Sequence, residues 1–402
     1  MKVLQLCHRI PYPANDGGNI AMLAMADALS SQGVRVKMLA LNTLKHWVQP
    51  ETLPEKLIST YNIESVSIDT GIRIKDAFLN LFSSESYNVK RFYSPAFEKK
   101  LIEVLKQDSF DVILLESLFM TPYISAIRKY SKAKIVLRSH NVEHVIWERL
   151  AENEKNPLKK FYLGLLTKRL RNYEVETLSH IDAVLAITDD DKSFSTNLNS
   201  ALPVLTTPVG INMEQYPDQS DASTSLSLFH LGSMDWRPNL EGVTWLLDEV
   251  WKNIHDKFPA LKLFLAGRNF PSEIRDRKDA GVTCEGEVKD AHAFMLGKQI
   301  MVVPLKSGGG MRVKIIQGMA LGKTIISTSI GAEGIEYTNN KNILIANTPD
   351  EFLSAVEKCI SDNKFCFQIG KEARKLAIEK YSNDMVGYNV LQFLKAITIP
   401  GS

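Results

Sequence analysis

Cysteine is scarce: four in 402 residues (Cys7, Cys284, Cys359 and Cys366), scattered and without a Cys-x-x-Cys pair. That excludes a disulfide framework and a thiolate metal site, and it fits reduced thiols in a cytosolic protein. No apolar run approaches the ~18–20 residues needed to cross a bilayer. The opening MKVLQLCHRIPYP holds an apolar stretch too short for a secretory h-region and ends in His-Arg-Ile-Pro. The expected location is the cytoplasm, with a peripheral contact at the inner face of the plasma membrane left open. An excess of either charge is also missing. The chain has 48 Lys and Arg against 46 Asp and Glu, a net charge of +2, and no basic stripe studded with aromatics. No nucleic-acid partner is expected. Low-complexity tracts, short-period repeats, a serine nucleophile elbow and clustered metal ligands are absent as well, so no metal is expected.

What is present is an ordinary globular composition, 45% hydrophobic and 23% charged, in a chain long enough for two domains. Short apolar runs alternate with helical patterns. In the first half, 3–7, 36–41, 66–68, 111–116, 134–139 and 183–188 read as buried strands. In the second half, 227–233, 261–267, 300–305, 324–329 and 342–346 repeat the pattern. Strands separated by helix-length segments predict βα units and parallel sheets. The expected fold is α/β, two doubly wound Rossmann-like domains facing across a cleft. The first spans 1–205, a polar, turn-rich linker 206–227, the second domain 228–382, and 383–402 forms a last helix that crosses back to the first domain. Ligands of such sheets bind at the carboxyl ends of the strands.

Several residues fall at those ends. Gly308, Gly309 and Gly310 follow the strand IMVVPL and lead into Met311, Arg312, Val313 and Lys314. A glycine-rich turn opening a helix points N–H groups at a phosphate, and two cations at a helix end that is already positive make sense if an anion joins them. The bland alternative is a surface loop with two solvated cations. Gly17 and Gly18 open a helix after the first strand, either for close approach of a substrate or as a plain loop-to-helix turn. His140 follows KIVLRS and suits an acid, a base or a donor to a sugar hydroxyl, or else a histidine bonded within its loop. His144, one turn on, gives with it an i,i+4 pair too weak to indicate zinc. Asp189, Asp190 and Asp191 read as a helix cap and first turn in preference to a metal site. Residues 155–173 carry six basic and no acidic residues among Phe161, Tyr162, Leu165, Leu166 and Leu170. They form either a basic helix resting on an anionic membrane or a core-packed helix with a solvated basic face. Glu333 follows a strand, where a carboxylate accepts from hydroxyls or simply fills a turn.

The stretch PLKSGGGMRVKIIQGMALGKTIISTSIGAEGIE (304–336) resembles the donor-site region of retaining GT-B glycosyltransferases of the group 1 (family four) type. It is most similar to the exopolysaccharide-type branch with a GGG-x-R-x-K run. RIPYPANDGGNIAM, RSHNVEHVIWERL, PVGIN and GSMDWRPN match that branch in the same order. The resemblance implies a hexosyltransferase-type transfer from a UDP- or GDP-linked sugar to a hydroxyl of a glycan or lipid-linked acceptor. The anomeric configuration would be retained, with no cofactor and no required metal. It implies donor phosphates against the N–H groups of Gly310 to Val313, with Gly309 in the same turn. Arg312 and Lys314 would be catalytic counter-cations, His140 would lie near the transferred sugar, and Gly18 near donor or acceptor. Gly232, Gln317 and Glu333 would be donor contacts.

The sequence also departs from the wider family. Of its two glutamates separated by seven residues, the first position is Gly309 and the second Gln317. Gln317 keeps the shape and one acceptor oxygen but loses the charge. The basic pair of many relatives is replaced near Ser233 and Asn239, with Arg237 between them. Arg91 and Tyr93, with Phe92, in the stretch 80–95 are offered as acceptor contacts. Two other readings stand beside transfer: a nucleotide-sugar 2-epimerase, and a nucleotide-binding protein of this fold whose catalysis is impaired.

Overall fold

The structure is a computed structural model that describes residues 1–14, 16–71, 80, 83, 85–218 and 226–398. The chain divides into two compact units, Met1–Gly210 with Asn383–Ser402, and Ile211–Ser382. The division falls within the turn-rich stretch 206–227, of which 219–225 lie outside the described residues.

In the first unit, β1 (Lys2–Cys7) leads to α1 (Gly17–Ser31) and β2 (Arg35–Thr43), followed by β3 (Glu64–Ile68), β4 (Val112–Glu116) and β5 (Lys134–Ser139). Helices α2 (Glu143–Asn153) and α3 (Pro157–Thr177) form a hairpin before β6 (Ala183–Ala186), α4 (Asp189–Leu198) and β7 (Val204–Thr206). The strands form one parallel sheet in the order β3-β2-β1-β4-β5-β6-β7. A parallel sheet is covered on both faces, which is why its central strands are continuous apolar runs. Leu4 and Leu6 turn to one core with Ile113, Leu115 and Ile135, while Val3 turns to the other with Val112, Leu114 and Val136.

The second unit repeats the plan. Its elements are β8 (Leu228–Leu231), α5 (Arg237–Trp245), β9 (Leu263–Ala266), β10 (Val282–Gly286), β11 (Ile300–Val303), α6 (Val313–Ala320), β12 (Thr324–Ser327), β13 (Leu344–Ile345) and α7 (Asn363–Leu376). The parallel order is β10-β9-β8-β11-β12-β13. The last helix, α8 (Asn383–Thr398), belongs to the first unit: Val386, Val390 and Leu394 share a core with Met25 and Leu29 of α1.

Two strands are absent from the sequence expectation. β7 is only three residues of partly buried chain, and β10 is an edge strand that alternates half-buried and exposed residues. Neither offers the apolar run that marks a covered strand. In both sheets the chain order reverses beside the first strand, since β1 lies between β2 and β4 and β8 between β9 and β11. That reversal opens the carboxyl ends of the strands to a ligand.

Candidate functional site

In the second unit, the turn after β11 is bent by Gly308 (φ +108°) and Gly310 (φ +83°), a backbone region closed to most side chains. The sequence expectation needs one correction here. The helix begins at Val313, so Arg312 is not in its first turn but is its N-cap, in extended conformation (φ −90°, ψ 90°). Arg312 therefore stands on the loop, with only Lys314 in the first helical turn. Its guanidinium lies 4.8 Å over the Trp236 ring, and Nη1 donates to the carbonyl oxygens of Gly309 and Gly310. Its Nε and Nη2 are buried without a hydrogen-bond partner. Burial pushes its pKa down to about 10, against the opposing pull of Glu333, which lies in the turn after β12.

Lys314 is likewise lowered, first by burial and then by the charge of Arg268 at the carboxyl end of β9. Lys314 and Arg268 make no side-chain hydrogen bond or salt bridge among the described residues. Two desolvated cations thus stand at the glycine turn, and a third, Arg268, is near enough to act on Lys314. A desolvated cation without a partner is costly, and an anion relieves that cost. Val313 is buried and Met311 packs against the core, so these two reach a ligand only through backbone N–H groups. The first N–H groups of a helix have no intrahelical acceptor.

The neighbouring candidates are held differently. Gln317 donates from Nε2 to the Tyr216 hydroxyl (2.9 Å), leaving a buried Oε1 without a partner. Tyr216 meets the His292 ring edge-on at 5.4 Å. Gly232 is packed so closely that a Cβ would lie 2.6 Å from Asn239 Nδ2 and 2.9 Å from His230 Nε2. Ser233 Oγ donates to Asp235 (3.1 Å), and Asn239 Nδ2 donates to the Ser233 carbonyl (2.9 Å). Arg237 is 85% exposed and pairs with Glu241 (2.6 Å). The other Glu241 oxygen accepts from Ser307 (2.7 Å), just before the glycines. Arg237 therefore braces the turn through Glu241 and has its charge compensated there.

The first unit builds a second constellation where β1, β4 and β5 end. Glu116 is fully buried, accepting from Gln5 Nε2 (2.7 Å), Arg138 (3.3 Å) and His140 Nε2 (2.6 Å). Burial alone would raise its pKa, but Arg138, His140 and Gln5 hold the carboxyl below its ordinary value. His8 Nδ1 lies 2.8 Å from the Glu116 carbonyl, and its ring meets that of His140 edge-on at 6.1 Å. Burial, then the charge of His140, pushes His8 down to about 4, so its ring is neutral. Gly18 sits in the first turn of α1, where the Asp16 carboxylate already accepts its N–H (3.0 Å). A Cβ at Gly18 would stand 2.6 Å from the Arg9 guanidinium, which pairs with Asp16 (2.5 Å).

The acceptor candidates do not converge. Arg91 is half-buried over the Phe92 ring (5.2 Å), whereas Tyr93 is exposed and donates to Glu98 (2.6 Å). Phe92 is unavailable for stacking on a glycan because it is buried against Phe119 (4.5 Å). Residues 81, 82 and 84 of that stretch lie outside the described residues. His144 is turned to Glu174 (2.5 Å), whose carboxylate also caps the start of α2. Asp189, Asp190 and Asp191 fill the first turn of α4, which Thr188 caps.

Sequence reasoning missed Arg268, Trp236, Tyr216, His8 and Glu116. Arg268, His8 and Glu116 were within its reach, because each sits at the carboxyl end of a strand by the rule that selected His140. Trp236 and Tyr216 had no such signal, since only folding brings them to Arg312 and Gln317.

Comparison with known proteins agrees with the fold. Residues 225–362 match the model of the group 1 glycosyl transferases. A protein described as an uncharacterized 44.6 kDa protein in the cps region of Klebsiella pneumoniae is 26% identical over 369 residues, covering 88% of this chain and 89% of that one. Sucrose-phosphate synthase from Thermosynechococcus elongatus superposes with a TM-score of 0.70 at 13% identity, covering 99% of both chains. Anabaena HepE in complex with UDP gives 0.67 at 11%, covering 98% of this chain and 100% of that one. S. aureus TarM, crystallised with alpha-GlcNAc-glycerol and UDP, gives 0.66 at 10%, covering 98% and 99%. The chain therefore has the GT-B fold, and its residues 225–362 resemble the group 1 glycosyl transferases.

Proposed function

We propose that this protein is a retaining glycosyltransferase that moves a hexose from a UDP- or GDP-linked donor to a hydroxyl of a glycan or lipid-linked acceptor in bacterial surface polysaccharide assembly. The observation that carries the donor half is the pair Arg312 and Lys314 at the glycine turn, both desolvated by burial, with two Arg312 nitrogens unpaired and the charge of Arg268 acting on Lys314. In transfer, the bond between the anomeric carbon and the diphosphate oxygen breaks with its electron pair going to the diphosphate. The acceptor oxygen bonds to that carbon and gives up its proton to the departing diphosphate. Cations fixed beside the leaving group stabilise charge that grows there, which accelerates the step. Arg312 and Lys314 fill that role, and no metal is required by this reading. His140, oriented by Glu116, is the group offered to the transferred sugar. The relative from a cps region and the UDP-bound HepE and TarM support the polysaccharide setting and the donor class. An acceptor on a lipid would place the enzyme at the inner face of the plasma membrane.

The test is a thermal-shift and calorimetric screen of UDP, GDP, ADP and their sugars against wild type and Arg312→Ala. A ligand that binds only the native state raises its stability by mass action. One nucleotide should stabilise the wild type and lose most of that effect in Arg312→Ala. Stabilisation by none of them would end the donor-site reading.

Gln317 favours a second reading, a nucleotide-binding protein with impaired catalysis. Its neutral amide is fixed by Tyr216, and hydrogen bonds to neutral groups are roughly half as strong as charged ones. Under that reading Gln317→Glu tightens nucleotide binding without producing transfer. Conversion of the donor alone to an epimer would instead select epimerisation.

A further inference from the structure

The hairpin of α2 and α3 carries a feature that donor chemistry does not use. The second half of α3 is core-packed, with Leu166, Leu170 and Glu174 buried. Its first turns and the preceding loop are exposed nearly all round, from Lys155 to Phe161. Leu158 (81% exposed) and Phe161 (75%) are the two most exposed large hydrophobic side chains among the described residues. At i,i+3 they share one face of the helix. Lys155 precedes them in the loop, Lys159 and Lys160 leave the helix to either side of that face, and none of the three forms a salt bridge among the described residues. Lys160 Nζ donates only to the Glu152 carbonyl (3.2 Å). The acidic residues Glu148 and Glu152 lie back along α2, and Glu154 accepts from the Asn156 N–H (2.9 Å), so the segment 155–161 holds three cations and no acid.

Scattered exposed apolar residues are normal on a soluble surface. A leucine and a phenylalanine on one face of an exposed hairpin tip, with unpaired lysines on its flanks, are a different arrangement. Apolar side chains enter the headgroup boundary while lysine stems lie along it and hold their charges at anionic phosphates. The sign of the flanking charges selects an anionic surface, and the shallow apolar face fits insertion without crossing. No helix among the described residues is long and apolar enough to span a membrane. We infer that the tip of this hairpin is a membrane-docking surface, with Leu158 and Phe161 inserting between anionic lipids and Lys155, Lys159 and Lys160 binding their phosphates. The inference rests on no part of the transfer reading, and its test reads binding alone.

The full-length protein is floated with vesicles of pure phosphatidylcholine and of phosphatidylcholine mixed with phosphatidylglycerol. The wild type should bind the mixed vesicles, ignore the pure ones, and release as salt rises. Leu158→Ser with Phe161→Ser should lower binding about tenfold or more. Lys159→Gln with Lys160→Gln should lower it comparably. Phe161→Trp should show blue-shifted emission on the mixed vesicles. All these sites are exposed, so circular dichroism and melting should match the wild type and loss of binding is not loss of fold. Wild type that ignores the mixed vesicles, or a double-serine variant that binds as well as wild type, overturns the proposal. So does a dimer seen by light scattering that the double-serine variant splits, which would assign the face to a second copy of the chain.

Discussion

Glu116 shows how much rests on single residues of the first unit. Its carboxylate and the Arg138 guanidinium are both fully buried, and Arg138 also donates to the Ala21 carbonyl at 2.7 Å. Two further Arg138 nitrogens, Nε and Nη2, are buried without partners, so Glu116 is its main compensation. Breaking a buried pair by removing one charge leaves the other uncompensated, at a cost of about 3–5 kcal/mol, whereas replacing both with apolar groups is close to neutral. Glu116→Gln should therefore lose stability of that order. Adding Arg138→Met should recover a large part of the loss, a coupling that a double-mutant cycle reads directly. Denaturant unfolding of the three variants decides it. A Glu116→Gln variant within about 1 kcal/mol of wild type would mean that water already reaches the pair. The consequence for function is positional, because the carboxylate that compensates Arg138 also fixes the ring of His140.

At the level of elements, glycines mark where helices approach too closely for a side chain. Gly387 of α8 crosses α1 so closely that a Cβ would lie 2.0 Å from the Ala28 carbonyl oxygen. Gly164 of α3 has nothing within 4 Å of the same point. Glycine to alanine favours an open helix by about 1 kcal/mol, whereas overpacking a tight crossing costs about 1–3 kcal/mol. Gly164→Ala should raise the melting temperature and Gly387→Ala should lower it. Shifts of the same sign would show that α1 and α8 separate without penalty. This contrast also marks the limit of legibility. The apolar runs of β1, β4, β5, β8 and β11 revealed two parallel sheets because a strand covered on both faces has no other pattern. The glycine turn after β11 was legible because its chemistry is local. The place of Arg312 outside the first helical turn was not legible, because its extended backbone and the return of Nη1 to the Gly309 and Gly310 carbonyls are made by the fold of the turn, which spacing does not encode. The charge of Arg268 acts on Lys314 because β9 and β11 both pair with β8, a neighbourhood made by the sheet and not by spacing.

Across the whole molecule, the two units should respond differently to acid. His230 of β8 is buried, with Nδ1 3.0 Å from the Val302 carbonyl and Nε2 without a partner, and burial pushes it down to about 4. An unfolded histidine titrates near 6.5, so between about pH 6.5 and 4 the unfolded chain binds a proton that the folded unit does not. Stability contributed by neutral His230 is therefore full above that window and is lost as pH falls. The loss is about 2 kcal/mol between pH 7 and pH 5. His8 of the first unit is also lowered to about 4 and acts in the same direction. There it is opposed by Glu143, which burial and then the charge of Glu174 raise to about 7. A carboxyl raised in this way keeps its proton when folded, so its contribution grows as pH falls from 7, by a similar amount. The first unit's two effects nearly cancel, and the second unit is left with His230. Hydrogen exchange should show the amides of β8 and β11 losing protection from pH 7 to pH 5, after correction for intrinsic rates, while those of β1 and β4 hold theirs. His230→Gln should remove the pH slope of the second unit whatever it does to overall stability. Equal slopes in the two units, or a slope that survives in His230→Gln, would place acid sensitivity elsewhere in the fold.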